Sequence, residues 1–244
     1  MKKVWLLVAL MVALVAMSAS AQSPIKFGIK AGLGMANVSG DGWDVASADL
    51  TDIDNKYKVG FGFGVMAQIP LGESGLMLQP EAMYVMKGSK LEFVGEEAAE
   101  YDIEAKMKID YIEIPVLIKY SFPTSGKIAP ALFAGPAVAF NVSSKFETEG
   151  ADAEALADEI PSGDIYNQKS IDFGIVFGGG IDFNLGERNK LVLDVRYTLG
   201  LMNAYDDVAE DEEIPDGEVE MTGLEGAGLE LKNSNIQFTV GFLF

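Results

Sequence analysis

Nine charged residues sit at positions where alternating polarity would turn them away from an apolar face: Lys30, Glu81, Lys87, Glu113, Lys119, Asp172, Asp182, Asp194 and Arg196. Their types allow three kinds of chemistry. Opposite charges can pair and lock an interior. A polar line can pass ions. Two carboxylates, Glu81 and Glu113 for example, can share acid–base work. A buried charge needs a partner. The set mixes both signs, so a paired plug is the reading carried forward, ahead of an ion path and well ahead of catalysis.

A second candidate is the run Asp206-Asp207-Val208-Ala209-Glu210-Asp211-Glu212-Glu213. Carboxylate oxygens suit Ca²⁺ or Mg²⁺. Asp206, Asp207, Glu210, Asp211, Glu212 and Glu213 do not follow the EF-hand spacing, and Asp49, Asp52 and Asp54 lack the glycine that loop requires. The run reads as a solvated, self-repelling surface with weak divalent binding at most. The runs Gly60-Phe61-Gly62-Phe63-Gly64 and Gly178-Gly179-Gly180 could cradle phosphate, but no helix follows them, so a nucleotide fingerprint fails its context. The chain has no Cys and no His. That excludes disulfides, thiol chemistry, the commonest zinc ligands and a His general base. A formal charge of −19 argues against nucleic-acid binding. No cofactor motif is present, and enzymatic activity is not expected.

The elements that position these charges are strands. Eight segments alternate with period 2: 25–37, 57–69, 76–87, 108–122, 127–142, 170–184, 190–202 and 235–244. One face is apolar, as in Val59, Phe61, Phe63 and Val65. The other carries Gly and the nine charges. Inward glycine lets a narrow barrel close without crowding. Segment 127–142 is the least regular, because Pro130 and Pro136 point to a bulge or a weakly paired edge. The connections alternate short (71–75, 123–126, 186–189) and long (38–56, 88–106, 146–168, 204–232). The four long ones hold 29 of the 37 acidic residues, so the acidity is a solvated cap and the apolar stripes face something else.

That something is lipid. Most segments exceed the roughly 9–11 residues a tilted strand needs to cross a bilayer. The expected fold is all-β: an eight-stranded antiparallel up-and-down transmembrane barrel, with short periplasmic turns and long acidic extracellular loops. Lys2 and Lys3, the apolar run 4–17 and Ala19-Ser20-Ala21 mark residues 1–21 as a cleaved signal peptide, leaving a barrel domain over 22–244 with charge −21. In the final segment Phe238, Val240, Phe242 and Phe244 share one apolar face. That stretch is expected to close the barrel and to serve as its assembly signal.

Three stretches resemble the small outer-membrane barrels grouped as PorT-like. They are Tyr111-Ile112-Glu113-Ile114-Pro115-Val116-Leu117-Ile118-Lys119-Tyr120, Asp172-Phe173-Gly174-Ile175-Val176-Phe177-Gly178-Gly179-Gly180-Ile181, and the C-terminal strand, with Phe27-Gly28-Ile29-Lys30-Ala31-Gly32 in support. The resemblance implies an eight-stranded barrel and brings no catalytic residues. The expected location is the outer membrane. Expected partners are its lipid and lipopolysaccharide, the barrel-assembly machinery during biogenesis, and an extracellular or envelope protein; the barrel is expected to be a monomer. The expected role is structural, adhesive or accessory. Two alternatives stand beside it: a narrow ion or small-solute channel, and an exported soluble lipocalin-like binder with apolar faces inward and charges outward.

Overall fold

A computed structural model of the chain describes residues 25–40, 52–94, 104–150, 162–186, 189–205, 215, 218–219 and 231–244. Segment 1–21 and the run Asp206–Glu213 lie outside the described residues. The strands are β1 (Lys26–Ser39), β2 (Asp52–Pro70), β3 (Leu76–Val94), β4 (Glu104–Ser121), β5 (Ile128–Glu149), the short β6 (Gly163–Ile165), β7 (Ile171–Asn184), β8 (Lys190–Gly200), the short β9 (Glu218–Val219) and β10 (Lys232–Leu243). The eight long strands pair antiparallel in chain order. β10 then returns to β1, from Gly28↔Leu243 to Ser39↔Lys232. The result is a closed eight-stranded antiparallel barrel, and closure leaves no sheet edge within it.

Polarity is inside-out. Phe61, Phe63, Phe238 and Val240 are at least half exposed, while Arg196, Lys119, Asp182 and Glu81 are buried at 1% or less. All nine inward charges of the sequence reading are buried. The lipocalin-like alternative needs the opposite arrangement and is set aside, because water cannot wet such an outer wall without large cost.

Segment 127–142 holds a bulge, one of the two expected irregularities, but is not the weakly paired edge. β5 is 22 residues long and pairs on both sides, with β4 and with β7. It is no edge. Its irregularity lies at Val142, which the ladder to β4 skips between Asp110↔Ser143 and Tyr111↔Asn141. Both prolines face outward, and the pairing with β4 lapses only around Pro136, which has no N–H to give.

Strands β2 to β5 also run on into stretches expected to be loops. They have 18 to 22 residues, against 11 to 14 for β1, β7, β8 and β10. On β4 the reason is visible. Ile112, Ile114, Val116 and Ile118 face out while Glu113 and Lys119 face in. One turn of the pleat earlier the polarity reverses: Lys106, Lys108 and Asp110 face out while Ala105, Met107, Ile109 and Tyr111 are buried. The strand leaves its lipid-facing belt at Ile112 and continues as a sheet with a charged outer face.

Inward glycine sets the bore. A Cβ on Gly64 would lie 2.1 Å from the Ala82 carbonyl oxygen and 2.7 Å from the Met83 Cα. Both are backbone atoms that cannot step aside cheaply. Gly64→Ala is expected to cost ~1–3 kcal/mol, read as a lower urea midpoint in phospholipid vesicles. An unchanged midpoint would show that the wall is softer than this packing implies.

Candidate functional site

The inward charges meet across the lumen in two linked groups. Glu81, from β3, accepts from Lys30 Nζ at 2.8 Å and from both terminal nitrogens of Arg196, at 2.7 and 3.1 Å. Lys30 also reaches Asp194 Oδ2 at 2.9 Å. So β1, β3 and β8 are tied through the middle of the barrel. The second group sits nearer the short turns. Lys119 Nζ donates to Asp182 Oδ1 at 2.7 Å, and Lys190 Nζ lies 3.1 Å from Asp182 Oδ2. Lys119 lies 3.9 Å from Asp194 Oδ1, which links the groups. Lys87 and Glu113 form a separate pair at 2.6 Å, with Lys87 above the Tyr111 ring. Glu81 is held by Lys30 and Arg196, while Glu113 is held by Lys87.

Sequence reasoning missed Lys190, Gln68 and Gln79 as members of this set. Lys190 donates to Gln68 Oε1 at 3.3 Å, Gln68 Nε2 donates to Gln79 Oε1 at 2.7 Å, and Gln79 Nε2 donates to Glu81 Oε1 at 2.6 Å. The signal was there. Lys190 shares the parity of Asp194 and Arg196 on β8, and Gln68 and Gln79 share that of the inward glycines and Glu81.

An apolar cap lies above the charges, while Met66, Val192 and Leu243 cluster beside them, level with Glu81, Asp182 and Lys190. At the long-loop end Ile165, Ala204, Tyr205 and Leu231 fold onto Met107, Ile109, Tyr111 and Phe146. Gln168 holds that cap, donating to the Tyr111 hydroxyl at 3.1 Å and to the Ala204 carbonyl at 2.7 Å. Burial pushes the Tyr205 hydroxyl of the cap far up from its ordinary pKa.

Asp172 stands apart. Among the described residues it makes no ion pair; Asn233 Nδ2 donates to its Oδ2 at 3.2 Å, and the same amide donates to the Tyr111 hydroxyl at 3.1 Å. A buried carboxylate without a cation gains no ion-pair energy to offset its desolvation. Asp172→Asn is therefore expected to be tolerated within about 1 kcal/mol in urea unfolding. A loss three times larger would show that its charge is needed.

Outside the belt, the extended sheet carries its own charge ladder. Lys90 pairs with Glu104 at 2.7 Å, Lys106 bridges Glu104 and Glu149 at 3.2 and 2.6 Å, and Lys108 pairs with Glu147. The hydrogen bond from Lys90 foremost holds the Glu104 carboxyl below its usual range, and Glu149 raises Lys106. Such exposed pairs fix geometry more than they stabilise. Among the described residues no group of three or more Asp or Glu could hold a metal ion. The acidic run weighed for divalent cations lies outside them. Phe238, Val240 and Phe242 on β10 and Phe244 just after it all face outward, and the Phe244 N–H donates to the Phe27 carbonyl at 2.9 Å.

A closed barrel, apolar outside and charge-paired within, whose strands exceed the span of a bilayer, defines a transmembrane β-barrel of the outer-membrane class. The chain belongs to the family described as "Outer membrane protein beta-barrel domain", whose model matches residues 19–206, and its location is the outer membrane. The match stops short of β10. No curated protein matches the sequence. Among solved structures it is similar to Neisserial surface protein A (12% identity, TM-score 0.46, covering 91% of this chain and 98% of that one). It is also similar to OprG from Pseudomonas aeruginosa (12%, TM-score 0.44, 90% and 95%). A third is Ail, the attachment invasion locus protein of Yersinia pestis, in complex with the heparin analogue sucrose octasulfate (13%, TM-score 0.40, 91% and 100%).

Proposed function

We propose that this protein is a closed, non-conducting barrel whose working surface is the sheet that β2 to β5 carry beyond the membrane. The single observation behind this is the sealed interior. Salt bridges cross the lumen from wall to wall, and an apolar cluster covers them at the long-loop end. Function then resides on outer surfaces, and among the described residues the charged extension is the one that stands beyond the belt. Its role is adhesive or accessory: binding a surface or envelope partner while the barrel anchors it. The short turns and both ends of the barrel chain face the periplasm, and the long acidic loops face outward. The Glu113-Ile114-Pro115 strand favours the PorT-like group within the wider family. The stripe Phe238, Val240, Phe242, Phe244 is its handle for the assembly machinery. No catalytic residue or cofactor is assigned.

The test is conductance. Purified barrel inserted into planar bilayers is expected to give no unitary steps at ±100 mV. Reproducible ion-selective steps would replace this reading with the narrow channel.

A further inference from the structure

The membrane-facing wall of β1 to β3 is not smooth. Most outward positions carry Phe, Leu, Ile, Val or Tyr, but here Ala31, Ala67 and Ala82 interrupt the stripes, with Pro80 beside them. Register brings them together: Ile29, Val65 and Ala82 lie side by side, with Ala31, Phe63 and Tyr84 in the next outward row. The consequence is a hollow of about 780 Å³ against Val65, Ala82 and Phe242. A second hollow of about 420 Å³, which shares Ile29, Val65 and Ala82, continues it to Phe27 and Phe244 at the short-turn rim.

We propose that this groove holds one acyl chain of a phospholipid from the leaflet at the short turns. Three observations choose that occupant. The groove lies within the lipid-facing belt, so it is continuous with the interface that lipid already covers. From Phe27 to Ala31 it runs four residue steps, roughly 13 Å at ~3.3 Å per residue, so it fits within the ~15 Å that is half of a ~30 Å hydrocarbon core. Phe27 and Phe244 line its rim end over the buried Ala67 and Pro80, and the paired rings of Phe63 and Tyr84, 5.4 Å apart, line its inner end. Its lining offers no side chain to hydrogen-bond a protein partner. Lys30 and Glu81 border it but point into the lumen network, and the Tyr84 hydroxyl already donates to Asp110. Within a bilayer, apolar burial alone does not drive proteins together. A hollow of this size, within the range of ligand sites, holds a chain more firmly than a flat wall does, because more atoms come into contact distance.

The experiment compares the barrel with Ala82→Phe and Ala31→Leu, each filling the groove, and Ile175→Phe, on the far outward wall. Each is folded into phosphatidylethanolamine/phosphatidylglycerol vesicles, extracted into mild detergent and weighed by native mass spectrometry. Heat-modifiable mobility checks that each has folded. The unmodified barrel and Ile175→Phe are expected to retain one phospholipid per chain. The two groove variants are expected to lose it at least tenfold. Equal retention by a folded groove variant, or no retained lipid in the unmodified barrel, overturns the proposal. A dimer that Ala82→Phe dissolves overturns it too, since the occupant would then be a second copy.

Discussion

Glu81→Ala is expected to abolish the stable barrel. The carboxylate is the shared acceptor for Lys30, Arg196 and the Gln79 amide. Without it two buried cations lose a partner at once, and only Asp194 remains near both. Breaking a buried pair from one side costs ~3–5 kcal/mol, against a total stability of ~5–15 kcal/mol for a typical domain. The folded, fast-migrating band in unheated samples should fall sharply, and the urea midpoint of the residue that folds should drop. Asp172→Asn is the matched control, since it also removes a buried lumen carboxylate but unpairs no cation. If Glu81→Ala unfolds at the same urea concentration as the unmodified barrel, the lumen network is ornamental and the sealed interior must rest on the apolar clusters.

The double change Phe242→Asp with Phe244→Asp is expected to block assembly in cells. Both rings face lipid on β10, which closes the barrel against β1. Charge on a lipid face costs up to ~2–4 kcal/mol for Lys or Arg at mid-membrane and less near the rim. Thermodynamics alone would therefore let much of the variant fold into vesicles in vitro. The informative result is a difference: moderate folding in vitro, with accumulation of unfolded chain and little outer-membrane signal in cells. Normal insertion in cells would remove the assembly role from this stripe.

How much could be read from the chain alone depended on where a side chain found its solvent. Inside the belt a single rule holds, apolar out and polar in, so eight segments and nine buried charges were legible from parity. Beyond the belt the solvent outside changes from lipid to water and the rule inverts. Met107 and Ile109 then point where Glu113 points, and Lys106 and Lys108 point where Ile112 points. A search for one phase ends the strand at that place and labels the remainder as loop. Partner choice was less legible than position. Nothing in the spacing tells that Glu81 takes two cations while Asp172 takes an amide, because that depends on which strands face each other across the lumen. The bulge at Val142 was hidden too, since the prolines that pointed to irregularity stand several residues earlier and are accommodated on the outward face.

The ladder of β3, β4 and β5 that runs from the charged sheet down into the belt also has a mechanical meaning. Its hydrogen bonds lie across the strand axes. A pull on the sheet along those axes therefore loads many bonds together in shear and passes directly into the closed wall. A partner attached through a slack tether would instead peel its attachment open one contact at a time. In the adhesive role proposed above, a stiff extension of the anchor itself would carry that load, and β2 to β5 are the strands long enough to provide it.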